Sequence, residues 1–154
     1  MTESRLINPD GKLLAELEQQ PFLARKTKSI WAKVLDQPQE IETIEGTVNA
    51  QQGDYLCRGI EDEVWPQKAD KVTEKYTPGG EWDSMGFQRF DPKPGAAPVQ
   101  AAQVTQTFRV TAQWGELAGK ANDYVIRSTT DPSDIWIVDK AIFEASYSRD
   151  DTKS

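Results

Sequence analysis

Residues 29–58 align with residues 98–127 without a gap, at a constant offset of 69. Internal self-similarity of this kind constrains the fold more than any other feature, because each stretch must build the same local structure. Ala32 falls on Ala101, Gln37 on Gln106, Gly46 on Gly115, Asp54-Tyr55 on Asp123-Tyr124 and Arg58 on Arg127. The apolar positions follow: Ile30 with Val99, Leu35 with Val104, Ile41 with Val110, Val48 with Leu117, Leu56 with Val125. Two residues then enter the later stretch within STTDPSD, and the register resumes at an offset of 71. Val64-Trp65 now matches Ile135-Trp136, Val72 matches Phe143 and Tyr76 matches Tyr147. The shared G…DY…R…W…Y spacing predicts a tandem duplication.

Within each copy the pattern is β-rich. IETIEGTV has a glycine between two β-prone runs, and VTQTFRVTAQ alternates apolar and polar residues as a half-buried strand does. DYLCRG with VWPQ, and NDYVIRS with DIWIV, each read as a strand pair. ADKVTEKY and DKAIFEASY read as one or two helical turns. The expected fold is therefore α+β and β-rich: two pseudo-repeats, each of about four short strands plus a short helix, packed together because units of about 50 residues are marginal alone. Repeat 1 spans 29–78 and repeat 2 spans 98–148. Residues 1–28 form an N-terminal extension with a short helix in 9–24, where Asp10 is the N-cap, Leu13, Leu14 and Leu17 form the apolar face, and Pro21 lies near the end. Residues 79–97 read as a Pro/Gly/aromatic connector whose Trp82, Phe87 and Phe90 pack over one copy, and 149–154 as a disordered tail.

Composition excludes whole classes of chemistry. The chain of 154 residues has no histidine and one cysteine, Cys57. That removes the commonest general base, Ser-His and Cys-His nucleophile systems, an intramolecular disulfide and multi-cysteine metal sites. A net charge of −7 argues against nucleic-acid and anionic-membrane partners, which need clustered Lys and Arg. Cys57 reads as a small buried residue, and the consecutive acids Glu61, Asp62 and Glu63 do not converge on one ion. No cofactor and no metal are expected. With no signal or membrane-spanning run, the expected compartment is the cytoplasm.

The segment IETIEGTVNAQQGDYLCRGIEDEVWPQKADKVTEKY resembles a family of small phage and bacterial proteins named for a PGDYG motif. Glu45-Gly46, Gly53-Asp54-Tyr55, Arg58-Gly59, Glu63, Trp65-Pro66 and Tyr76 carry the resemblance. Gln52 replaces the motif's proline and Leu56 its last glycine, while Asn122, Asp134 and Ile137 stand for the glycine, glutamate and proline in the later copy. The resemblance implies a phage or mobile-element context and no particular chemistry.

The residues to test follow from the repeat. Arg58 and Arg127 could hold an anion bidentately, or pair with an acid such as Glu63 or Asp54. Tyr55 and Tyr124 follow the repeated aspartates, which read as turn-forming acids. Trp65 and Trp136, with Tyr76 and Tyr147, could stack on a planar ligand or fill a core. Trp31, Trp82 and Trp114 lack partners of the same type and are copy-specific. The expected function is a non-catalytic binding or interaction protein of phage or bacterial origin, whose ligand is a protein partner or a small polar metabolite at Arg58, Arg127, Tyr55, Tyr124, Trp65 and Trp136. The alternative is a small hydrolase or transferase using Asp54 or Glu63. A virion or host-factor subunit would instead show an exposed aromatic patch and a homo-oligomer.

Overall fold

A computed structural model describes residues 21–112, 115–131 and 134–150. These form fourteen strands and two short helices, so the fold is α+β and β-rich. The described residues divide into two compact units, one of residues 27–96 and one that joins residues 21–26 to the described residues from Ala97 onward. In chain order the first described strand is β1 (Phe22–Lys26). The expected helix ends in this region. Pro21 and Phe22–Lys26 are not helical, and Asp10, Leu13, Leu14 and Leu17 lie outside the described residues.

The first unit, 27–96, contains β2 (Ile30–Val34), β3 (Gln39–Thr43), β4 (Gly46–Ala50), β5 (Tyr55–Arg58), β6 (Val64–Gln67), helix α1 (Ala69–Lys75), β7 (Tyr76–Trp82) and β8 (Gln88–Pro92). Five strands form an antiparallel sheet in the order β6-β5-β2-β8-β7, and β3-β4 is a separate hairpin that packs against β6. Both sheet edges carry a proline, Pro66 on β6 and Pro78 on β7, which removes a donor where a second sheet could attach. The stretch expected to be an irregular connector, 79–97, thus holds the end of β7 and all of β8. Its Pro and Gly residues sit in an edge strand with a register shift between Pro78 and Trp82, and in the turns around it.

The second unit contains β9 (Val99–Gln103), β10 (Phe108–Ala112), β11 (Gly115–Gly119), β12 (Tyr124–Ser128), β13 (Ile135–Val138), helix α2 (Lys140–Ser146) and β14 (Tyr147–Arg149). Its five-stranded sheet runs β13-β12-β9-β1-β14, with β10-β11 as the separate hairpin. Each unit therefore has seven strands rather than about four. The second is completed by a strand that precedes the first unit in the chain, so it is not confined to 98–148. Arg149 lies in β14, and the Asp150 amide donates to the Leu23 carbonyl at 2.7 Å; residues 151–154 lie outside the described region.

Local chemistry explains the turns. The β3-β4 turn closes on Gly46 at φ 141°, with the Thr43 hydroxyl donating to the Gly46 carbonyl at 2.7 Å. Before β5 the chain turns through Gly53 at φ 92°, and before β12 through Asn122 at φ 79°. Glycine and asparagine are the residues that enter this region at least cost. Opposite Phe108, Gly119 leaves room for a buried ring. A Cβ there would clash with Cζ and Cε1 of the Phe108 ring, which is 2% exposed. Gly119→Ala is accordingly expected to lower stability by about 1–3 kcal/mol through overpacking, read as a fall in denaturation midpoint with an unchanged slope.

Each unit has its own core on the helix side of its sheet. In the first, Ile30, Ala32, Cys57, Val72, Tyr76 and Phe90 cluster, with Tyr55 and Trp65 packed against them. In the second, Ala24, Ala101, Tyr124, Ile126 and Phe143 cluster, with Phe22, Val99, Trp136, Val138 and Tyr147 against them. On the opposite sheet face of the second unit, Val125, Ile135 and Ile137 are also buried, so both faces of the β12-β13 pair are covered.

Candidate functional site

Asp54 and Asp123 are buried carboxylates at 4% and 1% exposure, and each organises the turn before its strand. Asp54 Oδ2 accepts the Gln51 amide at 2.8 Å, and Asp123 Oδ2 accepts the Lys120 amide at 2.9 Å. The other oxygen reaches the start of the helix. Asp54 Oδ1 lies 3.6 Å from Lys68 Nζ, at the α1 N-cap, and Asp123 Oδ1 accepts the Lys140 amide at 3.1 Å. The compensating cation changes place between units. In the second, Lys120 Nζ donates to Asp123 at 3.2 Å and to Asp139 at 2.9 Å. Asp139 itself caps α2 by accepting from the Ala141 and Ile142 amides. Burial would raise the Asp139 carboxyl, but Lys120 and these amides outweigh it and hold the group below its usual range. A buried carboxylate whose two oxygens are engaged by turn, helix and lysine is a structural anchor. Glu63 is likewise tied locally, its Oε1 accepting the Glu61 amide at 2.9 Å.

Arg58 does not pair with Asp54 or Glu63. Its side chain lies on the sheet face away from Tyr55 and Cys57, directly across from Trp31. Its guanidinium carbon sits 4.6 Å from the Phe87 ring centre and 5.6 Å from that of Trp31, and Nη2 lies 2.9 Å from Asp83 Oδ2. A longer approach of 3.8 Å joins Nε to the exposed Asp62. Asp83 is the brace of the β7-β8 turn. Its Oδ1 accepts the amides of Met85 and Phe87, each at 2.9 Å, and its own amide donates to the Phe87 carbonyl at 2.9 Å. Burial opposes ionisation of Asp83, yet the Phe87 amide, Arg58 and the Met85 amide together keep its carboxyl below the normal value. The partner was missed in the sequence because it stands 25 residues further on, in a stretch rich in Pro and Gly.

Arg127 has a different environment. Gln100 occupies the place across from it that Trp31 occupies for Arg58. Gln100 Oε1 accepts both Arg127 Nε at 3.0 Å and Nη2 at 2.8 Å. The two arginines thus share a strand position but not a chemistry, and the structure does not bring them together in one unit.

The aromatic candidates pack within or against the two cores. Tyr55 meets Phe90 edge-on at 5.7 Å. Tyr124 stacks on Phe143 at 3.9 Å and donates its hydroxyl to Glu144 Oε2 at 3.0 Å. Trp65 and Trp136 are half-buried against their respective cores. Tyr147 stacks on the other side of Phe143 at 4.7 Å. Burial of its hydroxyl pushes the Tyr147 phenol up to about 12, aided by the Asp134 charge and opposed by a hydrogen bond from Trp136. A raised phenol favours the folded state below the ordinary value of 10.0 and stops doing so as pH rises towards 12. An ultraviolet titration is expected to show one tyrosine ionising near pH 12 in the folded protein, and that transition lost in Tyr147→Phe.

Cys57 is wholly buried, with Gln67 Nε2 at 3.4 Å from its sulfur. Among the described residues no group of three or more acidic or cysteine side chains could hold a metal ion, and no helix is long and apolar enough to cross a membrane. The tip of the β7-β8 hairpin departs from expectation: Phe87 and Phe90 are buried as the sequence predicted, but Trp82, expected to pack over one copy, faces solvent at the end of β7. There Trp82 is 64% exposed and Met85 66% exposed, on a turn fixed from below by Asp83 and Arg58. Trp114, the remaining copy-specific tryptophan, lies outside the described residues.

No family model matches the chain, and no curated protein or solved structure matches it.

Proposed function

We propose that the protein is a non-catalytic interaction module of phage or bacterial origin, built from a tandem duplication, that docks a protein partner through the β7-β8 hairpin tip. The observation that carries this reading is the pair of large apolar side chains, Trp82 and Met85, held out on a braced turn. Scattered exposed apolar residues are ordinary, but a tryptophan and a methionine on one rigid turn have the chemistry of an interface anchor. A turn fixed by Asp83 loses little conformational freedom on docking, which lowers the ordering cost of association. On this reading Arg58 is a positioning residue: it acts through Asp83 on the shape of the turn. The phage context rests on the GDY…E-x-W-P…Y resemblance. The duplication is supported by the matching strand orders and by the matching positions in the two core clusters.

The test is capture of partners by the intact protein and by Trp82→Ala/Met85→Ala, with the captured species identified and its affinity measured. A partner bound at least tenfold more weakly by the double variant, at unchanged melting temperature, supports docking at the tip. Equal affinity of the two proteins for that partner overturns it. A small polar metabolite that stabilises both proteins equally would move the function to another surface.

A further inference from the structure

Strands β1 and β8 sit in matching places of different units. Phe90 of β8 stands opposite Ile30 on one side and Pro78 on the other. Ala24 of β1 stands opposite Val99 and Arg149. Ile30 and Val99 are 69 residues apart in sequence, and Tyr76 and Tyr147, which face Pro92 and Lys26, are 71 apart. Both flanks therefore put Ala24 where the first unit has Phe90. The remaining core positions correspond in the same way: Ala32 with Ala101, Cys57 with Ile126, Val72 with Phe143, Tyr55 with Tyr124, Trp65 with Trp136.

Neither strand pairs with the one that follows it in the chain, although each could. After β8 the chain makes a turn in which the Ala96 amide donates to the Lys93 carbonyl at 3.1 Å. The centre of that turn is midway between Phe90 and Val99. Folding β8 back on β9 would set Phe90 opposite Val99, in the register that Ala24 now uses. Likewise β1 folded back on β2 would set Ala24 opposite Ile30 across a three-residue loop, a common hairpin length. The sequence thus offers a second, more local set of pairings that leaves no strand out.

Side-chain volume separates the two arrangements. In the first unit the large Phe90 shares its core with the small Val72, and in the second the small Ala24 shares its core with the large Phe143. Moving β8 into the second unit would set Phe90 in the place of Ala24, beside Phe143, Tyr124 and Tyr147, and would put Gln88 where Phe22 now meets Tyr124 and Phe143 edge-on. Moving β1 into the first would leave a void beside Val72, where Ala24 would replace Phe90, and would force Phe22 into the place of Gln88. Both errors are costly in a close-packed interior.

We infer that the volumes at positions 24, 72, 90 and 143 assign each strand to its unit and hold the chain in the non-local arrangement against the local hairpins. This device stands on register and core composition, and is independent of what the hairpin tip docks. Exchanging the two helix residues, Val72→Phe with Phe143→Val, keeps the composition and should reverse the assignment.

Cysteine pairs report which strand lies beside β9. Leu23→Cys/Gln100→Cys marks the observed pairing, and Arg89→Cys/Gln100→Cys marks the alternative. In the otherwise native full-length chain the first pair is expected to form an intrachain disulfide at least tenfold faster than the second. In the Val72→Phe/Phe143→Val chain that preference should reverse. Adding Ala24→Phe/Phe90→Ala should restore it. A transposed chain that keeps the original preference overturns the inference. So does one that loses its fold without gaining the Arg89 linkage, or a fourfold variant that fails to regain the original pairing.

Discussion

Replacing Phe90 with alanine is expected to destabilise the first unit by about 3–5 kcal/mol, the range for removing a buried phenylalanine. The ring is 3% exposed and meets Tyr55 edge-on. Its loss would open a void among Ile30, Val72 and Tyr76, and the strand backbones on either side limit how far that void can close. Thermal unfolding followed by far-ultraviolet circular dichroism would read the effect. Phe90→Leu should recover most of the loss, because volume rather than aromatic character is what the site lacks. A loss below 1 kcal/mol would mean that β8 does not belong to this core.

Asp123→Ala should cost about 3 kcal/mol, for a different reason. It strips the acceptor from two backbone amides, Lys120 and Lys140, and leaves Lys120 Nζ with only Asp139. Hydrogen bonds to a charged acceptor contribute about 1.5–3 kcal/mol each, and exposed amides can recover part of that from water. The turn before β12 and the start of α2 are expected to lose amide-exchange protection together, because one side chain joins them. Asp123→Asn, which keeps one acceptor oxygen, should fall between the two. If Asp123→Ala leaves stability unchanged while abolishing binding of a partner, the anchor reading fails and the aspartate is a ligand contact.

Much of the second half of each unit was legible in sequence. The Gly53 and Asn122 turns, the strand pairs that follow them and both short helices depend on residues near one another in the chain. Local preferences and local geometry agree there, so spacing suffices. The first and last strands were not legible. Phe-Leu-Ala-Arg-Lys contains no β-branched residue and, after the leucine periodicity of 13–17, reads as the end of a helix. It is a strand because it lies between β9 and β14, where its neighbours override its own preference. β8 was hidden by its flanking turns, and with it went the partner of Arg58. The site reading shared this limit. Repetition picked out Asp54, Arg58 and Tyr55, which are engaged by neighbours within their own unit, whereas Trp82 and Met85, which have no repeated counterpart, are the most exposed of the large apolar side chains described.

The second unit also imposes an order on folding. The Arg25–Asp150 ion pair joins residues 125 apart in sequence. At a synthesis rate of about 5–20 residues per second, β1 leaves the ribosome roughly 6–25 s before β14. The first unit has all of its strands by residue 96, and can close while β9 and β14, the observed neighbours of β1, are still to be made. During that interval β1 has no neighbour but the adjacent β2, the local pairing that the volumes at positions 24 and 72 disfavour. One unit can thus be complete while the other still lacks most of its strands.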